Sequence, residues 1–329
     1  MLQQLRIGVI GVGHLGKVHT RLWKEVERVE LVGIYDVNAA EAKAVAAEHN
    51  VKAFETIDEA LDSVDALSIV TPTFAHYEVA LAAIEMGIHV LIEKPITTTT
   101  DEAETLIALA NEKGVRIQVG HIERFNPALI AVEPFIKEPR FFESHRLAQF
   151  TPRGTDVAVV LDLMIHDIDV ILSLAKSPVK RVDASGVAVV SDEIDIANAR
   201  ITFENGAVGN VTASRISQNP MRKLRIFERD AYLSVDFAAK SAEIFRLVGD
   251  DVAKQSASLM FNLGEIERAD KKLNIIYEKP HVRDINPLKY ELELFRDAIE
   301  KGTVPIVSGE DGLAALKIAR EIMNCIANQ

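Results

Sequence analysis

Ile7-Gly8-Val9-Ile10-Gly11-Val12-Gly13-His14-Leu15-Gly16-Lys17-Val18-His19 is the stretch that decides the fold. The apolar run from Leu5 to Ile10 has the length and make-up of a buried strand. Gly11-x-Gly13-x-x-Gly16 follows at once, and Leu15, Val18, His19 and Leu22 continue at helical spacing. A glycine turn between strand and helix suits a dinucleotide diphosphate. Gly11 permits the tight turn, Gly13 lets phosphates approach the backbone, and Gly16 lets helix and strand pack closely. The helix start presents free N–H groups and a partial positive charge. A second strand, Glu30 to Tyr35, ends at Asp36. That carboxylate can accept both ribose hydroxyls of an adenosine half and would repel a 2′-phosphate. The next residues are Val37 and Asn38, not arginine, so NAD is expected over NADP. The competing reading is a glycine turn in any α/β protein, with Asp36 a plain cap.

Outward from this stretch, apolar strands and amphipathic helices alternate to about residue 120. Helices are expected over 14–28, 39–48, 56–62, 74–86 and 100–113, with strands at 51–54, 66–70, 88–92 and 115–119 between and after them. The alternation predicts an α/β class with a doubly wound parallel sheet, a Rossmann domain over residues 1–122. Ligands of such sheets bind beyond the carboxyl ends of the strands. The exits there are Thr71-Pro72-Thr73 with His76 one turn on, Glu93-Lys94-Pro95, and Gly120-His121-Ile122-Glu123-Arg124-Phe125-Asn126-Pro127. All fall on the edge that carries the glycines. The cofactor-binding candidates are therefore Gly11, Val12, Gly13, His14, Leu15, Gly16, Asp36, Thr71, Pro72, Thr73, His76, Glu93 and Lys94.

Residues 123–329 change pattern. A short helix near 126–136, a strand at 139–147 and a helix at about 157–174 precede a run of strands from 180 to 278. A polar loop, Gln149 to Asp156, carries Arg153 and Gly154. Asn205-Gly206 signals a hairpin. This predicts an α+β second domain with a large, mostly antiparallel sheet. Segment 250–270 is ambiguous, and helices at 287–301 and 310–327 close the chain.

The chain has 329 residues, enough for two domains. A formal charge of −12 argues against a nucleic-acid partner. A single cysteine, Cys325, allows no internal disulfide. With neither a signal peptide nor an apolar run long enough to span a bilayer, a cytoplasmic protein with no membrane partner is expected.

Two constellations carry chemistry. Lys94 lies between Glu93 and Pro95 at a strand exit, where its ammonium can hold a hydroxyl and stabilise negative charge on its oxygen. The alternative is a surface ion pair with Glu93. In the 157–174 helix, Leu161, Ile165, Ile168 and Leu172 form an apolar stripe, and Asp162, His166 and Asp169 repeat that spacing one position on. Histidine is a natural proton acceptor for an alcohol, and a carboxylate one turn away can orient it. A hydrogen-bonded core histidine and a metal site are the alternatives. The cluster Arg215, Arg222, Lys223, Arg225 and Arg229 reads as a solvated sheet face.

Taken together, Gly11 to Gly16, Thr71-Pro72-Thr73 with His76, Glu93-Lys94-Pro95, and Asp162-Leu163-Met164-Ile165-His166 resemble the glucose–fructose oxidoreductase, inositol dehydrogenase and MocA family over nearly the whole chain. The resemblance implies an NAD-dependent oxidoreductase with Lys94, Asp162 and His166 as the catalytic set and no metal. His166 would serve as general acid/base. It further implies a homodimer or homotetramer through the second domain's sheet. Met164 stands where many members carry glycine, as in the inositol-dehydrogenase-like variant. The segment from Gly120 to Pro127 resembles the branch that oxidises UDP-N-acetylglucosamine at C3. Arg124 and Asn126 are its substrate-contact candidates beside Lys94 and His166. The alternative is that Arg124 pairs with an acid and Asn126-Pro127 only starts a helix. Inositol or free-sugar dehydrogenases are rivals for the substrate. An NAD-dependent glycoside hydrolase and a non-catalytic NAD sensor are rivals for the class.

Overall fold

The opening apolar run is strand β1 (Leu5–Ile10), whose last four residues are buried. The structure is a computed structural model that describes residues 4–151, 156–249, 260–268 and 271–328. Arg153 and Gly154 lie outside the described residues. The chain divides into two compact units, residues 1–125 with 285–317, and residues 126–284 with 318–329. The sequence places a single boundary at 122–123; the unit around the first sheet also takes in 285–317.

In the first unit β1 is followed by α1 (His14–Trp23), β2 (Val29–Tyr35), α2 (Ala39–His49), β3 (Lys52–Ala53), α3 (Ile57–Leu61) and β4 (Ala66–Ile69). Then come α4 (His76–Glu85), β5 (His89–Glu93), α5 (Thr100–Lys113) and β6 (Ile117–Gly120). The sheet order is β3-β2-β1-β4-β5-β6, with every pair parallel. The order reverses between β1 and β4, so the crevice for a ligand opens where Gly11 and Thr71 leave those strands. Local chemistry sets the helix ends. Thr99 and Glu102 form a reciprocal capping box on α5, and Gly114 stops it with φ +69°. The expected helix over 14–28 ends at Trp23 instead. Val26 is drawn into the core, and Arg28 takes a positive φ of 60° as the chain turns into β2. Helix α8 (Pro287–Lys301) sends Leu288, Leu292 and Phe295 into the same core as Ile7, Val9, Trp23 and Ile34.

The second unit starts with α6 (Pro127–Val132) and β7 (Phe141–Leu147). A π-helical turn, Val160–Met164, then runs into α7 (Ile165–Ala175). Eight strands follow: β8 (Val179–Val187), β9 (Ile196–Phe203), β10 (Val208–Ser214), β11 (Met221–Phe227), β12 (Ala231–Asp236), β13 (Ser241–Val248), β14 (Met260–Arg268) and β15 (Lys271–Glu278). Their sheet order is β14-β15-β13-β12-β11-β7-β10-β9-β8. All pairs are antiparallel except β7 with β10, which are joined through α7, β8 and β9. Asn205-Gly206 makes the β9–β10 turn, with Gly206 at φ +83°. The ambiguous 250–270 segment contains β14, bulged between Asn262 and Gly264. Helix α9 (Gly309–Ala327) closes the chain.

The two faces of this sheet differ. Phe142, Ile226, Leu233 and Ile244 lie on the covered face and are fully buried. Ile171 of α7 reaches to within 3.2 Å of where a Cβ on Gly209 would stand. On the opposite pleat Phe141, Phe227, Tyr232, Phe245, Tyr277 and Phe261 form a ring-to-ring ladder across six strands, with centroid spacings of 4.8 to 6.4 Å. No helix among the described residues is long and apolar enough to cross a membrane.

Candidate active site

The three glycines of the first turn face different surroundings. Gly11 has φ +90°, and a Cβ there would lie 2.7 Å from the Val70 carbonyl oxygen. A Cβ on Gly16 would lie 1.9 Å from the Gly11 carbonyl oxygen. Both glycines are demanded by the protein's own packing. Gly13 is not, since a Cβ there meets nothing within 4 Å. Gly13 is the N-cap of α1, which has no side-chain cap and no acidic residue in its first turn. Open space over uncapped N–H groups at a positive helix end is what a diphosphate requires.

Asp36 is fixed by the same turn. Its Oδ2 accepts from the Val12 N–H at 2.8 Å and its Oδ1 from the Asn38 N–H at 2.9 Å. The Val12 N–H is thereby occupied, and the carboxylate is held in one orientation with a lone pair left on each oxygen. Three apolar side chains are exposed on this side of the sheet: Leu15 between Gly13 and Gly16, Val37 after Asp36, and Phe74 after Thr73, at 40%, 90% and 78% exposure. They offer flat apolar contacts for the rings of a dinucleotide. The Thr71 hydroxyl at the β4 exit is buried and meets no hydrogen-bond partner among the described residues. An orphaned donor there fits a polar group of a bound ligand. The residues present thus fit a nicotinamide dinucleotide.

The β5 exit is built inward. Glu93 is 9% exposed, and both its oxygens are used within the protein. Oε1 lies 3.0 Å from His19 Nε2, and Oε2 accepts from the Lys94 N–H at 3.3 Å. Glu93 therefore braces the strand exit from below. His76 is also consumed by the fold. Its Nδ1 is 2.9 Å from the Pro95 carbonyl and its Nε2 2.9 Å from the Thr71 carbonyl; a neutral ring has one N–H, so it donates to one of the two while packing between the β4 and β5 exits. Burial lowers its pKa despite the two carbonyls, which act in the opposite direction. Lys94 is half-buried, and the Lys94–Pro95 peptide is cis. At the β6 exit His121 is fully buried. Desolvation above all, then the charges of Lys94 and Arg124, hold its pKa at about 3, so it is a neutral imidazole.

The remaining first-unit candidate is Arg124, which donates to the Ile306 carbonyl at 3.3 Å. Asn126, in the second unit, caps α6: its Oδ1 accepts from the Ala128 N–H at 3.1 Å, and its Nδ2 donates to the Phe237 carbonyl at 3.2 Å. Asn126-Pro127 thus starts α6, with Pro127 in its first turn.

Asp162 and His166 of the second unit are both half-buried, Asp162 in the π-helical turn and His166 two residues past it. The regular helical register expected from 157 to 174 is broken here, because a π turn adds about one residue to the repeat. Such turns are enriched at functional sites. Among the described residues no group of three His, Cys, Asp or Glu side chains is placed to hold a metal ion. Asp167, not singled out by the spacing, is firmly engaged. Arg146 Nε lies 2.5 Å from its Oδ2, and the Ser144 hydroxyl donates to Oδ1 at 2.5 Å, all three side chains being buried. This pair pins the start of α7 to β7. Of the basic cluster read as a solvated sheet face, Arg225 pairs with Glu143 at 2.9 Å and Lys223 with Asp236 at 3.3 Å, whereas Arg215 is buried, 3.8 Å from Asp195.

His19, Ser68 and Trp23, which the sequence does not mark as site candidates, lie in a buried polar chain that reaches Glu93. One signal was available: Ser68 is the polar residue inside the apolar β4 run, and it is fully buried.

Comparison with known proteins agrees with this geometry. Residues 5–121 match the oxidoreductase family with an NAD-binding Rossmann fold, and residues 137–233 match the GFO/IDH/MocA C-terminal domain. The chain is 45% identical over 242 residues to the UDP-N-acetylglucosamine 3-dehydrogenase of Acidithiobacillus ferrooxidans, covering 73% of this chain and 77% of that one. A solved structure of that enzyme superposes with a TM-score of 0.87 over 98% of each chain, at 37% identity across this longer span. The scyllo-inositol 2-dehydrogenase (NAD(+)) of Bacillus subtilis is 30% identical over 236 residues, covering 66% of this chain and 69% of that one. The cradle at the switch point, the braced lysine and these matches agree: the chain is an oxidoreductase of the GFO/IDH/MocA family, with an NAD-binding Rossmann fold in its first unit.

Proposed function

We propose that the protein is an NAD-dependent dehydrogenase of a nucleotide sugar, oxidising the C3 hydroxyl of UDP-N-acetylglucosamine. The observation that carries this reading is Lys94, braced at the β5 exit beside the dinucleotide cradle, in a chain 45% identical over 73% of its length to an enzyme named for that reaction. Gly11 to Gly16 would hold the diphosphate, Asp36 the adenosine ribose, and Thr71 a polar group further along. The bound nicotinamide supplies the hydride acceptor. Lys94 holds the reacting oxygen and stabilises negative charge on it. His166 takes the hydroxyl proton, and Asp162 orients its ring. Asp36 favours NAD, because a carboxylate fixed by two N–H groups repels a 2′-phosphate.

The test is NADH formation with a panel of UDP-sugars, inositols and free hexoses, with Lys94→Ala as control. NADH with UDP-N-acetylglucosamine, lost in the variant, is the expected result. NADH only with inositols or hexoses keeps the chemistry and discards the substrate. Sugar release without net NADH would instead point to a glycoside hydrolase that recycles its cofactor. NAD binding with neither product would leave a sensor.

We also infer that copies of the chain associate as homodimers or homotetramers through the face of the nine-stranded sheet that carries the aromatic ladder. Its aromatic ladder ends in Phe261, which is 62% exposed. Sedimentation of the wild type and of Phe245→Glu checks this. A wild-type monomer refutes it.

A further inference from the structure

Beneath Lys94 runs a buried polar chain that the reaction as proposed does not use. The Trp23 indole N–H donates to Ser68 Oγ at 2.8 Å. Ser68 Oγ lies 3.4 Å from His19 Nδ1, the loosest link, and His19 Nε2 lies 3.0 Å from Glu93 Oε1. Glu93 Oε2 accepts the Lys94 N–H at 3.3 Å. Trp23, His19 and Ser68 are fully buried.

Donor counting gives the chain a direction. An indole N–H can only donate, so Ser68 accepts from it, which leaves the Ser68 hydroxyl hydrogen able to donate to His19 Nδ1. His19 then donates Nε2–H to the carboxylate. The chain ends at the backbone of Lys94, through the carboxylate of Glu93.

Two further features serve the same spot. A Cβ on Gly120 would stand 2.8 Å from Glu93 Oε2 and 2.9 Å from Cδ and Oε1, so bare backbone on β6 makes the slot for the carboxylate. On the other flank His76 Nδ1 lies 2.9 Å from the Pro95 carbonyl, and the tautomer with Nδ1–H donates to it. Simple packing does not call for this arrangement. Val90, Leu91 and Ile92 of the same strand are fully buried and apolar, and a carboxylate following them is costly unless it is fully bonded.

We propose that His19 is a positioning residue: through Glu93 it fixes the backbone of Lys94, while His76 fixes Pro95, and the two imidazoles together set where the Lys94 ammonium stands. The proposal rests on the assignment of Lys94 to the reaction and deepens it. His19 touches neither substrate nor cofactor in this role.

The experiment compares wild type, Lys94→Ala, His19→Leu and His19→Gln by steady-state kinetics and by amide hydrogen exchange at Lys94 in the protein without added substrate. Leucine removes both links of the imidazole; glutamine restores a donor toward Glu93. Misplacing a reacting group by about an ångström costs on the order of 100-fold, so His19→Leu is expected to lower kcat by about 10- to 100-fold. KM for NAD should hardly move, and the Lys94 amide should exchange faster. His19→Gln should recover most of both losses. If His19→Leu does not fold, His19→Gln and Glu93→Gln carry the same comparison. Unchanged kcat and unchanged Lys94 exchange in His19→Leu, with Lys94→Ala inactive, would overturn the proposal. So would His19→Gln failing as badly as His19→Leu. Full activity in Lys94→Ala would refute the assignment of Lys94 instead, and the exchange measurement would still decide whether His19 fixes that segment.

Discussion

Gly13 and Gly16 stand three residues apart in the same turn, yet alanine at each should do opposite things. At Gly16 a Cβ would stand 1.9 Å from the Gly11 carbonyl oxygen and 2.8 Å from its carbonyl carbon, both backbone atoms that cannot rotate away. Overpacking typically costs about 1–3 kcal/mol, and this contact belongs at the top of that range. For a chain of this size each kcal/mol is worth roughly 2–4 °C, so Gly16→Ala should lower Tm by about 6–12 °C. At Gly13 the same methyl meets nothing within 4 Å, and the residue's φ of −60° is open to alanine. There the reduced freedom of the unfolded chain should leave Tm unchanged or raise it by about 1–4 °C, from roughly 0.4–1 kcal/mol. The space that the Gly13 methyl fills is the space into which a diphosphate must come. Losing two charge-assisted backbone hydrogen bonds at about 1.5 kcal/mol each would weaken NAD by on the order of 100-fold. Thermal unfolding without cofactor and NAD titration by calorimetry check both halves. If Gly13→Ala unfolds as early as Gly16→Ala, or binds NAD like wild type, then the open space over Gly13 is not the diphosphate site.

Asp36→Asn keeps an acceptor for the Val12 N–H but removes the charge, so the ratio of activity with NADP to activity with NAD should rise; an unmoved ratio would show that Asp36 does not set cofactor preference. Arg146→Met alone leaves Asp167 charged and buried and should cost about 3–5 kcal/mol, whereas Arg146→Met with Asp167→Leu should recover much of that in urea melts. Stability should also depend on pH through His121, whose folded pKa of about 3 lies below its unfolded value of about 6.5. Above the unfolded value neither state is protonated. As pH falls below it, only the unfolded chain takes up the proton, so stability drops by about 1.4 kcal/mol per pH unit. His76 and His89 are shifted the same way by burial and add to the slope. His121→Gln should make the slope between pH 6.5 and 5 shallower; an unchanged slope would mean that His121 is not held neutral.

The first sheet was legible because its signals are local. An apolar run, a glycine turn, a capping box at Thr99 and a stop at Gly114 each act within a few residues, and α5 runs from Thr100 to Lys113 as read. The site was legible only as a set of strand exits. Which side chains at those exits face a ligand and which turn inward depends on partners far away in sequence. His76 is tied to a carbonyl 19 residues on, and Glu93 to an imidazole 74 residues back. The π turn at Val160–Met164 was hidden for a different reason, since the apolar stripe around it satisfies a regular helix equally well. Arg146 and Asp167 lie 21 residues apart, and nothing in the local pattern marks them as a pair.

The cofactor-binding unit is discontinuous along the chain, since Leu288, Leu292 and Phe295 of α8 complete a core begun by Ile7 and Val9. On the ribosome this inverts the usual order of events. The nucleotide-binding sheet is translated first, but its core stays open until about 160 further residues (285 less 125) have been added. At about 5–20 residues per second that is a wait of roughly 8–32 s. Throughout it the groove meant for α8 presents apolar surface to the cell, so nascent chains should be clients for chaperones that shield such surface. A shortened chain ending before residue 285 should fail in its first sheet, far from the break.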